Sequence, residues 1–142
     1  MTSESRVRGV LFVCVANAAR SQMAEGWGRK LLPADVDVWS AGSRPARVSR
    51  DAITVMNEVG IDLSSHWSKS IAEIPLDRID LVVSLCAEEE CPIVPRPIAR
   101  ESWNLPDPGA GIGSVKARLD AFRATRDEMC RRVVDLARRI NS

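Results

Sequence analysis

From Val7 to Val13 the chain is dense in β-branched and aromatic residues, and an apolar run of that length reads as a strand buried on both faces, the parallel-sheet type. Parallel strands need long crossovers, and the pattern after this run supplies a helix. From Ser21 the apolar residues Met23, Trp27 and Leu31 recur at helical spacing, and Pro33 is the stop. A second strand, Val36 to Ala41, alternates and ends at Gly42-Ser43. Ser49 suits the cap of a helix carrying Ala52, Ile53, Met56 and Val59 on one face, and Gly60 suits its C-terminal end. Ile79 to Leu85 is a further apolar strand interrupted by Asp80 and Ser84, and a short extended piece follows around Ser102-Trp103. After the loop LPDPGAGIG, Ser114 caps a long last helix with Phe122, Met129, Val133, Leu136 and Ile140 at three-four spacing. Strands alternating with helices predict an α/β fold of three layers, α/β/α, around a parallel sheet of about four strands.

The 142 residues fit one domain, 1–142, with no internal repeat and no low-complexity tract. Lysine plus arginine number 20 against 19 acidic residues, a net charge of +1 with no basic stripe, which argues against nucleic acid or a membrane surface as partner. No segment approaches the roughly 20 apolar residues that span a bilayer, and the polar start MTSESRVRG is no leader, so a cytoplasmic protein is expected. Its four cysteines, at 14, 86, 91 and 130, are then expected to be mostly reduced. They form no close C-x-x-C couples, so a structural zinc site fits poorly and no metal is predicted.

Cys14-Val15-Ala16-Asn17-Ala18-Ala19-Arg20-Ser21 links the first strand to the first helix. A turn of this length can wrap backbone N–H groups around a concavity, and the helix start adds unpaired donors and partial positive charge. Arg20 adds a fork of donors suited to a tetrahedral oxyanion. Such surroundings favour the Cys14 thiolate, which is the attacking form. Asn17 tolerates a left-handed backbone, and Ser21 can donate a hydrogen bond to the sulfur. A Walker-type loop is excluded, because no G-x-x-x-x-G-K occurs. In sheets of this type ligands bind beyond the carboxyl ends of the strands, and Cys14, Cys86 and Asp107 all follow predicted strands.

C-x-x-N-x-x-R-S after a first strand resembles the signature of the low-molecular-weight protein tyrosine phosphatase family, and ANAARSQMAEG resembles its arsenate reductase branch. The likeness continues through WSAGS at 39–43, GIDLSSHWSKS at 60–70, the cysteine pair after the third strand and the Asp-Pro at 107–108. It implies a four-stranded parallel sheet flanked by helices, Cys14 as nucleophile, Arg20 as oxyanion clamp and Asp107 as general acid. It further implies that Cys86 and Cys91 relay electrons: Cys86 attacks the Cys14–arsenic adduct, Cys91 captures Cys86, and thioredoxin reduces the finished disulfide, with no cofactor bound. Ala16 stands where the phosphatases have glycine and Ala19 where many have a second cysteine. Gly109-Ala110 follow the Asp-Pro where phosphatases place aromatic residues, and the chain has no tyrosine. In some reductases of this branch a potassium ion is held by residues like Asn17, Ser40 and Glu25, but Lys69 stands where they have aspartate, so no cation is expected.

Arsenate is therefore the expected substrate. One rival is a phosphatase that needs only Cys14, Arg20 and Asp107. Another is a non-catalytic thiol sensor of arsenite or a soft metal. Cys130 reads as a packing thiol and His66 as a loop histidine.

Overall fold

A computed structural model of the protein describes residues 6–86, 94–109 and 113–140. The first apolar run forms strand β1, Gly9–Cys14, with every residue buried. It takes an inner place in a parallel sheet with β2 (Asp37–Gly42), β3 (Leu81–Ser84) and β4 (Ala99–Ser102), in the order β2-β1-β3-β4. β1 and β3 begin two residues later than the hydrophobic pattern predicts. The cause is Asp80, whose Oδ2 accepts the amides of Arg8 at 2.8 Å and Gly9 at 3.2 Å and so replaces ladder pairing at that edge. Among the described residues β4 has one neighbour, and it is largely exposed, which is why its residues, Ala-Arg-Glu-Ser, carry no strand pattern.

Alternation along β1 splits its side chains between two cores. Val10 and Phe12 pack with Met23 and Trp27 of α1 (Arg20–Leu31), Met56 of α2 (Arg50–Asn57), and Phe122, Met129, Val133 and Leu136 of α3 (Val115–Arg139). Leu11 and Val13 face Val82, Ile74, Ile79 and Val94. Among the described residues the three α-helices thus share one face. Short 3-10 turns at Ile71–Glu73 and Leu76–Arg78, together with residues 94–98, supply the cover on the other. The expected parallel sheet between two covering layers is present, the second being thinner than the first.

From β1 the chain turns to β2 on one side and reaches β3 on the other, so the carboxyl end of β1 is the switch point of the sheet. Register aligns Cys14 with Gly42 and Val13 with Ser84. A Cβ on Gly42 would collide with the carbonyl of Val15 and lie 2.9 Å from the amide nitrogen of Asn17, so β2 abuts the loop after β1 with no room between.

Candidate active site

Cys14 ends β1 on the same face as Val10 and Phe12, toward α1, and is 3% exposed. The chain then turns through Asn17, which is fully buried with φ of 51°, a left-handed conformation that asparagine tolerates. The carbonyls of Val15, Ala16 and Ala18 accept the amides of Arg44 (2.9 Å), Ala46 (3.0 Å) and Ser49 (2.9 Å). The amides of Val15 to Ala19 find no acceptor among the described residues. The loop therefore spends its carbonyls outward on segment 44–49 and keeps its donors. At α1 the N-cap is Ala19, which makes no side-chain cap bond, whereas α2 and α3 are capped by Ser49 and Ser114. The uncapped helix is the one that begins at this loop, and its free N–H groups and positive end suit an anion.

These donors border a cavity of about 540 Å³ lined by residues 14–16 and 18–20 with Ser43, Arg44 and Asp107. Arg20 is tethered by one nitrogen, which donates to the carbonyl of Leu105 at 3.0 Å and, more weakly, to that of Leu85 at 3.4 Å. Asp107, exposed, also lines the cavity, its Oδ1 accepting the amide of Gly109 at 2.9 Å. The cavity thus brings together three of the residues singled out in the sequence, a thiol, a guanidinium and a carboxylic acid.

Beneath the loop lies a polar scaffold. Asn17 Oδ1 accepts the backbone amide of Lys69 at 2.8 Å and Gln22 Nε2 at 3.0 Å, which orients the amide group so that Asn17 Nδ2 donates to Ser21 Oγ at 2.8 Å. Ser21 Oγ lies 2.9 Å from Cys14 Sγ, and toward the thiolate, which has no proton to give, the serine hydroxyl is the donor. Gln22 Oε1 in turn meets His66 Nδ1 at 2.9 Å, so His66 is tied into this scaffold and is not a bare loop histidine. Burial holds the His66 imidazole below its ordinary pKa; Glu25 opposes this, and Arg29 and Lys69 add to it. Glu25, almost fully buried, is satisfied by Ser40 Oγ, by Arg29 at 2.9 Å and by Lys69 Nζ at 3.5 Å. Lys69 Nζ also donates to the Trp67 carbonyl at 3.0 Å. A lysine ammonium thus stands beside the Glu25 and Ser40 oxygens.

Of the thiols, Cys14 and Cys130 are free. Cys86, fully buried just past β3, is disulfide-bonded. It does not line the cavity, but the bond from Leu85 N to Val13 O at 3.0 Å places its chain beside the end of β1. Cys91 lies outside the described residues. Burial pushes the Cys130 thiol up, in keeping with its packing on the α3 side of the core. Gln22, His66 and Arg44 join the site without having been singled out for it in the sequence. Only the position of Gln22 next to Ser21 was a local signal, since the other two arrive through tertiary contact.

Residues 9–142 match the family described as low molecular weight phosphotyrosine protein phosphatase. An arsenate reductase of Halalkalibacterium halodurans is 40% identical over 130 residues, covering 90% of this chain and 94% of that protein. A solved arsenate reductase in oxidized state superposes with a TM-score of 0.78 at 35% identity, over 94% of this chain and 99% of the other. The thioredoxin-dependent arsenate reductase of Corynebacterium glutamicum gives a TM-score of 0.63 at 26% identity, over 91% of this chain and 63% of the other. Sheet order, the Cys14–Arg20 loop and these matches lead to one assignment: the chain belongs to the low molecular weight phosphotyrosine protein phosphatase family.

Proposed function

We propose that the protein is an arsenate reductase. The Cys14 thiolate attacks arsenic(V) held by Arg20 and the amides of 15–19, and the displaced oxygen leaves as water with a proton from Asp107. The Cys86 thiolate then attacks the Cys14 sulfur. The sulfur–arsenic bond breaks, its electron pair stays on arsenic, arsenite departs, and a Cys14–Cys86 disulfide forms. Cys91 attacks Cys86, which frees Cys14 and leaves a Cys86–Cys91 disulfide for an external dithiol, thioredoxin, to reduce by exchange. Because Cys86 is fully buried, its disulfide must come to the surface before that exchange.

The observation that carries this reading is the state of the thiols: Cys14 is free at the anion cradle while Cys86, in the chain beside the end of β1, is disulfide-bonded. A plain phosphatase has no use for that second thiol. It would also want an aromatic wall for a phenol, and none of the described residues lining the cavity is aromatic. We place the cycle in the cytoplasm, where thioredoxin is kept reduced; no helix among the described residues is long and apolar enough to cross a membrane. The test is turnover of arsenate with thioredoxin, thioredoxin reductase and NADPH, repeated with Cys86→Ser and Cys91→Ser. Both variants should lose turnover; full activity in either removes the relay, and efficient hydrolysis of an aryl phosphate independent of Cys86 supports the phosphatase instead.

A further inference from the structure

Arg44 lines the cavity with Cys14 and Arg20, yet no carboxylate among the described residues pairs with it. By contrast Arg118, Arg123 and Arg126 on α3 are neutralised in place by Asp51 and Glu58. Its base is rigid. The Arg44 amide is bonded to the Val15 carbonyl, Ala46 is bonded to Ala16, and Pro45 between them confines the Arg44 backbone to extended conformations. An exposed guanidinium carried on so fixed a mount, 30 residues in sequence from Cys14 but one hydrogen bond from its loop, is not explained by packing.

Charge gives it a task. A doubly charged tetrahedral oxyanion entering this cavity meets the carboxylate of Asp107 at the rim and the thiolate form of Cys14 at the floor, and both repel it. Arg20 supplies one positive charge, and one of its nitrogens is engaged with backbone carbonyls. We propose that Arg44 is a second oxyanion-recruiting residue, a guanidinium at the mouth that draws the dianion past Asp107 and into the grip of Arg20 and the loop amides. It acts on capture and not on bond making, so it governs binding of any tetrahedral dianion that this site accepts. Recruitment of arsenate in particular rests on the reductase reading above, whereas recruitment of the oxyanion class does not.

The test uses inorganic phosphate as a non-reacting probe, its Kd measured by calorimetry on the full chain carrying Cys14→Ser, with Arg44, Arg44→Ala, Arg44→Lys or Arg44→Glu beside it. The expected result is a Kd raised about tenfold by Arg44→Ala at low salt and more by Arg44→Glu, with Arg44→Lys recovering most of the loss because charge rather than fork geometry does the recruiting. High salt should shrink the difference between variants. With Cys14 intact, Arg44→Ala should raise KM for arsenate and leave kcat within about twofold. A phosphate Kd unmoved by Arg44→Ala at low salt, or a lysine variant no better than alanine, overturns the proposal. Absence of arsenate turnover in the unmutated chain would instead overturn the reductase reading, and the phosphate series would still decide the role of Arg44.

Discussion

Ser21 decides how Cys14 presents its sulfur. Its Oγ lies 2.9 Å from Sγ, and a thiolate, having no proton of its own, can only accept there, so it gains a hydrogen bond that the neutral thiol does not require. Ser21→Ala should therefore lower kcat/KM for arsenate by about tenfold, the equivalent of one charged hydrogen bond, with little loss of fold stability. Asp107→Asn keeps the turn with Gly109 but cannot give up a proton, so the first step should slow by about a hundredfold while phosphate binding persists. Rapid-quench measurement of adduct formation separates the two effects. Cys14, Asn17, Arg20 and Ser21 were legible in the sequence because a strand, a loop and a helix hold them within eight consecutive positions. His66 was not, because its partner Gln22 lies 44 residues away and meets it only through the fold.

At the scale of elements, the site depends on how closely β2 and the segment after it press on the loop. Gly42→Ala would drive a methyl group into the Val15 carbonyl, and the backbone there is fixed by the bonds to Arg44, Ala46 and Ser49. The expected cost is about 1–3 kcal/mol in chemical denaturation, together with weaker phosphate binding, because the amide cradle itself must shift. Retained affinity in a destabilised variant would show that the loop keeps its shape without β2. Hydrophobic patterning located β1 as a continuous apolar run, and β2 and the three described α-helices by the spacing of their buried residues. It misplaced the starts of β1 and β3 because Asp80 caps that edge from a distance, and it saw β4 only as an extended piece because an exposed edge strand carries no alternation.

The whole molecule adds two consequences. The first concerns acid. His66 is held below its ordinary 6.5 by burial, so its folded pKa lies under its unfolded one; the stability it contributes is full above 6.5 and is lost as pH falls below it. Glu58, held down to about 2 chiefly by its hydrogen bond with Arg123, acts with the same sign further down, its contribution fading as pH drops from 4.5 toward that value. Tm should thus be level between 6.5 and 9.0 and decline in two stages on the acid side, and His66→Gln should remove the upper stage. A Tm that rises on acidification through that range would contradict the burial of the ring. The second consequence is that the cradle alone defines only a thiolate meeting a tetrahedral oxyanion. In the proposed relay, reduction in place of hydrolysis depends on thiols beyond the cavity. That division decides which measurement matters most: a single turnover with arsenate and no external reductant, quenched and mapped for disulfides by mass spectrometry alongside an arsenite determination. The relay predicts one equivalent of arsenite with a Cys86–Cys91 disulfide and free Cys14, and arrest at Cys14–Cys86 in Cys91→Ser. No arsenite, or arsenite formed with Cys86 still reduced, would contradict it.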